Sequence, residues 1–300
     1  MKSALAALLA CAFFAAPAHA QRDFSKVEIK TTQVTPGIYM LEGAGGNIGL
    51  SVGLDGAFVI DDQFAPLSAK ILAAIDAVSG QPVKFVLNTH WHGDHTGGNE
   101  AFRDRGAIVV AQANARKRLK EGLKRDPGGE TPPAPDAALP VITFSDEVSF
   151  YWNGQDIRVS HPAPAHTDGD AIVVFETANV IHMGDVFFKG SYPYIDLQSG
   201  GDLDGLIAAQ EALLARIDDD AKIIPGHGGL STKADLSASL AMLKDVRARV
   251  NALIDQGANE EKTVKANPLK DLDATWGGGF IDGEAMTRTA YRSLATNRRQ

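Results

Sequence analysis

Asn88-Thr89-His90-Trp91-His92-Gly93-Asp94-His95-Thr96-Gly97-Gly98-Asn99 is the stretch on which the reading of this chain turns. It follows directly on the apolar run 83–87, which reads as a buried strand. His90 and His92 are two apart, so an extended chain points both the same way. Gly93 lets the chain turn, and Asp94-His95 then face a second point close by. A solvated polar loop has no need of three histidines and an aspartate in six residues when the whole chain holds eight histidines. One short loop with these residue types supplies ligands to two metals.

His90-x-His92-x-Asp94-His95 resembles the signature of the metallo-β-lactamase superfamily, and the resemblance continues in order along the chain. Ala165-His166-Thr167-Asp168-Gly169-Asp170 is similar to the family's second motif, which places His166 with His90 and His92 at a first zinc. Met183-Gly184-Asp185 is similar to the third, whose aspartate bridges the metals. Pro225-Gly226-His227-Gly228 is similar to the last, which places His227 with Asp94 and His95 at a second zinc. Val59-Ile60-Asp61 matches an early strand whose aspartate supports the site from behind. The match spans about residues 37–228. It implies an α/β protein with an αββα sandwich, two β-sheets flanked by helices, with the metals at one edge between the sheets.

The chemistry expected from that ligand set is hydrolysis. Imidazole nitrogen and carboxylate oxygen suit zinc, with iron or manganese as alternatives. Three histidines leave the first metal an open position. Two metals about 3.5–4 Å apart acidify a shared water to a pKa of about 7, so the nucleophile needs no Ser or Cys. Asp94 is expected both to bind the second metal and to orient that nucleophile. The first expectation for substrate is a β-lactam amide; a glyoxalase II-like thioesterase or lactonase is the alternative. Asp185 departs from the Cys or Ser usual in the family's β-lactamases and is typical of its thioesterase-like branches. A glutamate usual at the position of His92 in the oxygen-reducing branch is absent. A zinc-binding protein without catalysis is a further reading, against which the open metal position counts.

Outward from this loop, strand-like and helix-like segments alternate. Residues 37–41, 48–52 and 57–60 are short apolar runs split by Gly-rich turns and read as antiparallel strands. Residues 67–78 have helical spacing, 108–110 read as a strand, and 113–124 as a basic helix. Residues 126–140, rich in Pro, Gly and Ala, read as a loop. Strands are then expected at 157–159, 172–175, 180–182 and 222–224. Helices are expected at 203–217, with Asp202 as N-cap, at 234–254 and at 282–294. The domain reading is residues 21–255, followed by a helical extension over 256–300.

Residues 1–20 read as a cleaved leader. A short positive start precedes an apolar run too brief to span a bilayer, and Ala18-His19-Ala20 is a small-x-small cleavage signal. The rival is a lipid-attachment site at Cys11, the single cysteine. The expected location is periplasmic or secreted. Without a disulfide, the fold must rest on a core, which about 280 residues can supply. The net charge of −8, or −9 once Lys2 is lost, argues against nucleic acid or an anionic membrane as partner; the family resemblance implies a small-molecule substrate.

Several residues carry two readings. Asp61 and Asp62 compete for the supporting role. His161 and His182 read as packed or supporting residues, not ligands. Residues 42–47 read as a flexible turn, where the resemblance implies a mobile flap. Lys189, four residues after Asp185, is either a surface lysine or an anchor for a substrate carboxylate. Tyr192, Trp152 and Phe188 are core or pocket wall.

Overall fold

The computed structural model describes residues 23–125 and 129–298. The leader reading of residues 1–20, Cys11 included, lies outside the described residues.

The first half builds a seven-stranded sheet in the order β1-β2-β3-β4-β5-β6-β9. Its members are β1 (Lys30–Thr35), β2 (Ile38–Glu42), β3 (Ile48–Ser51), β4 (Ala57–Ile60), β5 (Val83–Asn88), β6 (Ile108–Gln112) and, after a separate hairpin of β7 (Leu123–Arg125) and β8 (Gly129–Thr131), β9 (Ile142–Phe144). The second half builds a six-stranded sheet from β10 (Glu147–Trp152), β11 (Gln155–Ser160), β12 (Ile172–Phe175), β13 (Val180–His182), β14 (Lys222–Ile224) and β15 (Ser231–Thr232). Strands β1 to β4 are antiparallel, as the Gly-rich turns between them require. Pairing turns parallel at β4-β5-β6 and at β13-β14. Helix α1 (Ser68–Val78) makes the β4–β5 crossover. The β5–β6 connection carries α2 (Gly93–Thr96) and α3 (Asn99–Asp104), and α4 (Ala113–Glu121) follows β6.

Side-chain alternation sorts the apolar residues into layers. Phe58 and Ile60 of β4 face the same cluster as Ile157, Val173 and Phe175 of the second sheet, so this core lies between the sheets. Ala57 and Val59 face the other way, onto Leu67, Ile71 and Ile75 around α1. On the far side Ile172, Ile181 and Ile223 pack under α5 (Leu203–Leu214) and α6 (Lys233–Asp255). The result is the αββα sandwich.

Some boundaries differ from the sequence reading. The basic helix stops at Glu121 because Gly122 adopts φ +66° and its N–H caps the Arg118 carbonyl. Residues 126–140 are not plain loop; β8 and a 3-10 turn at Asp136–Ala138 lie within them. The C-terminal segment folds as α7 (Glu260–Ala266), α8 (Asp273–Trp276) and α9 (Gly283–Asn297), and Met286, Ala290 and Leu294 of α9 share the core of α5 and α6. Glu260 of α7 clasps Arg288 and Arg292 of α9.

Phe58 stands between the sheets, its ring 5.7 Å from that of Phe85 in β5 and 5.0 Å from that of Phe150 in β10. Phe58→Ala opens a cavity there. It is expected to lower unfolding free energy by about 3–5 kcal/mol, read from urea denaturation curves.

Candidate metal centre

The parallel strands β4, β5, β13 and β14 all deliver their carboxyl ends to one edge of the sandwich. Asp61 follows β4, the His90–His95 loop follows β5, Asp185 follows β13 and His227 follows β14; His166 comes from the turn between β11 and β12. All seven residues expected as ligands meet there. His90, His92, His166 and Asp185 form one set and Asp94, His95 and His227 another; within each set one donor atom per residue lies within 4.8 Å of all the others.

Asp185 spans the two sets. Its Oδ1 lies 3.2 Å from His95 Nε2 and 3.4 Å from His227 Nε2, and its Oδ2 lies 3.4 Å from His166 Nε2 and 3.8 Å from His90 Nε2. Asp94 Oδ2 sits 3.4 Å from His227 Nε2 and 3.7 Å from His95 Nε2. The donors fit a pair of divalent cations. His90 Nε2 is buried and has no hydrogen-bond partner among the described residues, a costly state that a cation would relieve. Burial holds the His90 imidazole well below its ordinary pKa and takes His166 down to about 4, so both stay neutral, as ligation requires. Burial also opposes charge on His95 and His227, yet the neighbouring carboxylates together, Asp185 first, then Asp94 and, for His95, Asp61, raise both. The Asp185 carboxyl is held well below the usual range: burial pushes it up, but the surrounding imidazoles, His95 first, prevail.

The far nitrogen of four of the five rings is fixed by the protein. His95 Nδ1 meets Asp61 Oδ2 at 2.7 Å, His166 Nδ1 meets the Tyr194 carbonyl at 2.8 Å, and His90 Nδ1 meets Thr89 Oγ1 at 3.1 Å. His92 presents Nδ1 to the site because its Nε2 lies 2.9 Å from Asp196 Oδ2. Asp61 and Asp62 thus divide their work. Asp61, at φ +63°, accepts from the Thr89 amide and hydroxyl and holds His95. Asp62 accepts from the Gly98 amide, and burial pushes its carboxyl well up. His161 and His182 are not ligands: His161 Nδ1 meets the Asp170 carbonyl, and His182 Nε2 the Asn47 carbonyl.

The structure corrects two expectations. Residues 42–47 are tied down: Gly46 N donates to the Asp94 carbonyl, Gln63 Nε2 to the Gly46 carbonyl, and Asn47 to Gly226, Pro225 and Gly228 carbonyls. The glycine is there for space, since a β-carbon on Gly46 would come within 2.0 Å of His95 Cε1. Lys189 does not reach the centre. Its ammonium donates to the Leu230 carbonyl at 2.9 Å and pairs with Asp235 at 3.3 Å. Of the three aromatics left open, Phe188 lines the site, stacked on His227 at 5.0 Å; Trp152 packs between the sheets against Phe85, and Tyr192 is buried toward Asp273. Sequence reasoning missed Asn47, Tyr194 and Asp196. Asp196 caps a short turn through Ser199, a readable signal for a turn but not for a histidine partner.

An αββα sandwich with two adjoining His/Asp sets at one edge defines a metal-dependent hydrolase. The family model described as "Metallo-beta-lactamase superfamily" matches residues 47–227, and the chain belongs to that superfamily. It is similar to the hydroxyacylglutathione hydrolase GloC of Haemophilus influenzae, 30% identical over 50% of this chain and 71% of that protein. A hydroxyacylglutathione hydrolase of Anaeromyxobacter dehalogenans is 28% identical over 75% of this chain and 81% of its own length. A metallo-β-lactamase type 2 of Pseudomonas aeruginosa is 27% identical over 44% and 48%. The solved metallo-β-lactamase of Pontibacter korlensis shares the fold, with TM-score 0.61 and 22% identity over 73% of this chain and 100% of that one.

Two outcomes are expected here. Asp196→Ala should weaken metal binding about 10–100-fold by releasing His92, measured by competition with a chromophoric chelator. Lys189→Ala should leave KM and kcat for any substrate within about twofold, because its partly exposed pair with Asp235 acts away from the centre and contributes only about 0–1 kcal/mol; steady-state kinetics on both proteins decide it.

Proposed function

We propose that this superfamily hydrolase holds two zinc ions and opens acyl bonds of small molecules, β-lactam amides among them, in the periplasm or outside the cell. The observation that carries the two-metal reading is Asp185, whose two oxygens each face a different set of imidazoles. His90, His92 and His166 would hold one ion, Asp94, His95 and His227 the other, with Asp185 between them. Bound there, the metals supply Lewis acidity and lower the pKa of water.

The chain's own groups do the rest. Asp94 lies at the half-open rim beside His227, where its carboxylate can orient the attacking water and take up its proton. The water oxygen bonds to the carbonyl carbon, the carbon–nitrogen bond breaks, and the proton passes to the leaving nitrogen. The leader reading of residues 1–20 and the likeness to a metallo-β-lactamase type 2 support a β-lactam substrate. A second reading, thioester hydrolysis, is favoured by the aspartate at 185 and by the likeness to two hydroxyacylglutathione hydrolases.

The test is a panel on the purified, zinc-replete protein: metal content, a chromogenic cephalosporin, and an S-lactoyl thioester, each with and without chelator. Expected are close to two zinc ions per chain and cephalosporin turnover that chelation abolishes. A content fixed at one ion would sink the two-metal reading. Brisk thioester cleavage with no cephalosporin turnover would replace the first substrate by the second.

A further inference from the structure

A cavity of about 730 Å³ opens beside the first ligand set, between the 194–198 segment and helix α9. Two of its lining residues also touch imidazoles of the centre. Asp196 lines it and holds His92. Tyr194 lines it and sets its ring 5.9 Å from that of His92 and 5.8 Å from that of His166.

The cavity's outer wall is Phe280, whose ring meets that of Tyr194 edge to face at 6.2 Å. Phe280 is 89% exposed, which wastes its large apolar surface unless something covers it. Its position is fixed by its neighbours. The Trp276 carbonyl accepts from the Tyr192 amide, Gly279 lies against Ser191 so closely that a β-carbon would come within 2.7 Å of the Ser191 β-carbon, and Ile281 is buried. Asp282 then caps α9 through the Ala285 amide.

Charge decides what the cavity accepts. Each charged side chain on its wall is already engaged. Asp196 holds His92 and Ser199, Asp282 caps α9, Glu284 pairs with Arg288, and both Arg288 and Arg292 are clasped by Glu260. A charged arm would have to break one of these pairs, whereas a flat uncharged arm could lie against Phe280, Tyr194 and Leu197 at no such cost.

We propose that Phe280 and Tyr194 form an aromatic clamp selecting substrates that carry a flat, uncharged, preferably aryl arm next to the scissile acyl group. The proposal rests on the metal centre being the hydrolytic site and adds the specificity of the cleft beside it. Calorimetric titration of the zinc-loaded protein with N-phenylacetylglycine and N-acetylglycine tests it, because the two probes share a carboxylate and an amide and differ in the ring. The wild type should bind the phenylacetyl probe about tenfold more tightly. Phe280→Ala should lose most of that preference, with melting temperature, zinc content and affinity for N-acetylglycine unchanged, and Phe280→Tyr should restore it. Equal affinities in the wild type, no binding of either probe at millimolar concentration, or an unchanged ratio in Phe280→Ala would overturn the clamp. The titration needs no bond cleavage, so a retained preference without chelator-sensitive turnover would sink the hydrolase reading instead.

Discussion

Thr89 and Asp61 join the parts of the molecule that must meet for a metal centre to exist. The buried Asp61 carboxylate takes the Thr89 amide and hydroxyl, each at 2.7 Å, and His95 Nδ1 at the same distance. The Thr89 carbonyl in turn accepts from the Ala171 amide at the start of β12. One sheet's strand ends are thereby fixed to each other and to the second sheet. Asp61 reaches its partners from a left-handed backbone conformation that a non-glycine residue adopts at some cost. Gly184 closes the arrangement from the other side, with no room for a side chain against Thr89.

Around that joint the chain buries an unusual density of ionisable groups, and their environments set them apart. Asp61 and Asp62 are neighbours and both fully buried. Asp61 is saturated with donors, whereas one Asp62 oxygen has no partner among the described residues and burial favours its neutral form. The same contrast runs through the imidazoles. His90 and His166 are kept neutral by burial, while Asp185 and its fellow carboxylates draw charge onto His95 and His227. A set of donors so arranged is compensated by cations better than by protons, because only a cation meets several lone pairs at once.

Much of this was legible in the sequence because each ligand motif directly follows or flanks a short apolar run, and a strand end fixes where the next few residues go. His90 to His95 after β5, Asp185 after β13 and His227 after β14 are of this kind. The strands missed are β1, β7, β8, β9, β10 and β15: β1 is polar, β7, β8, β9 and β15 are only two or three residues long, and β10, Glu147–Trp152, has an alternating pattern that the reading passed over. Lys189 was misjudged because nearness in sequence does not fix direction. Phe188 bridges to His227 and stacks on it, so the next side chain along an extended chain faces away, toward Leu230 and Asp235. Residues 42–47 misled in another way. Their glycines signal flexibility in isolation, but here they mark close approach to Asp94 and His95. Asp196 signals only a turn and the Tyr194 carbonyl nothing, since tertiary folding alone brings them to the imidazoles.

The donor sets draw on both halves of the chain: His95 and His227 are 132 residues apart, and His92 and His166 are 74 apart. A cation held between such residues is also a staple across the sandwich. Unfolding either half must release it, so occupancy adds to stability by mass action, about 4 kcal/mol when free metal exceeds its dissociation constant a thousandfold. Metal supply would then govern how long the protein survives proteolysis as well as how fast it works.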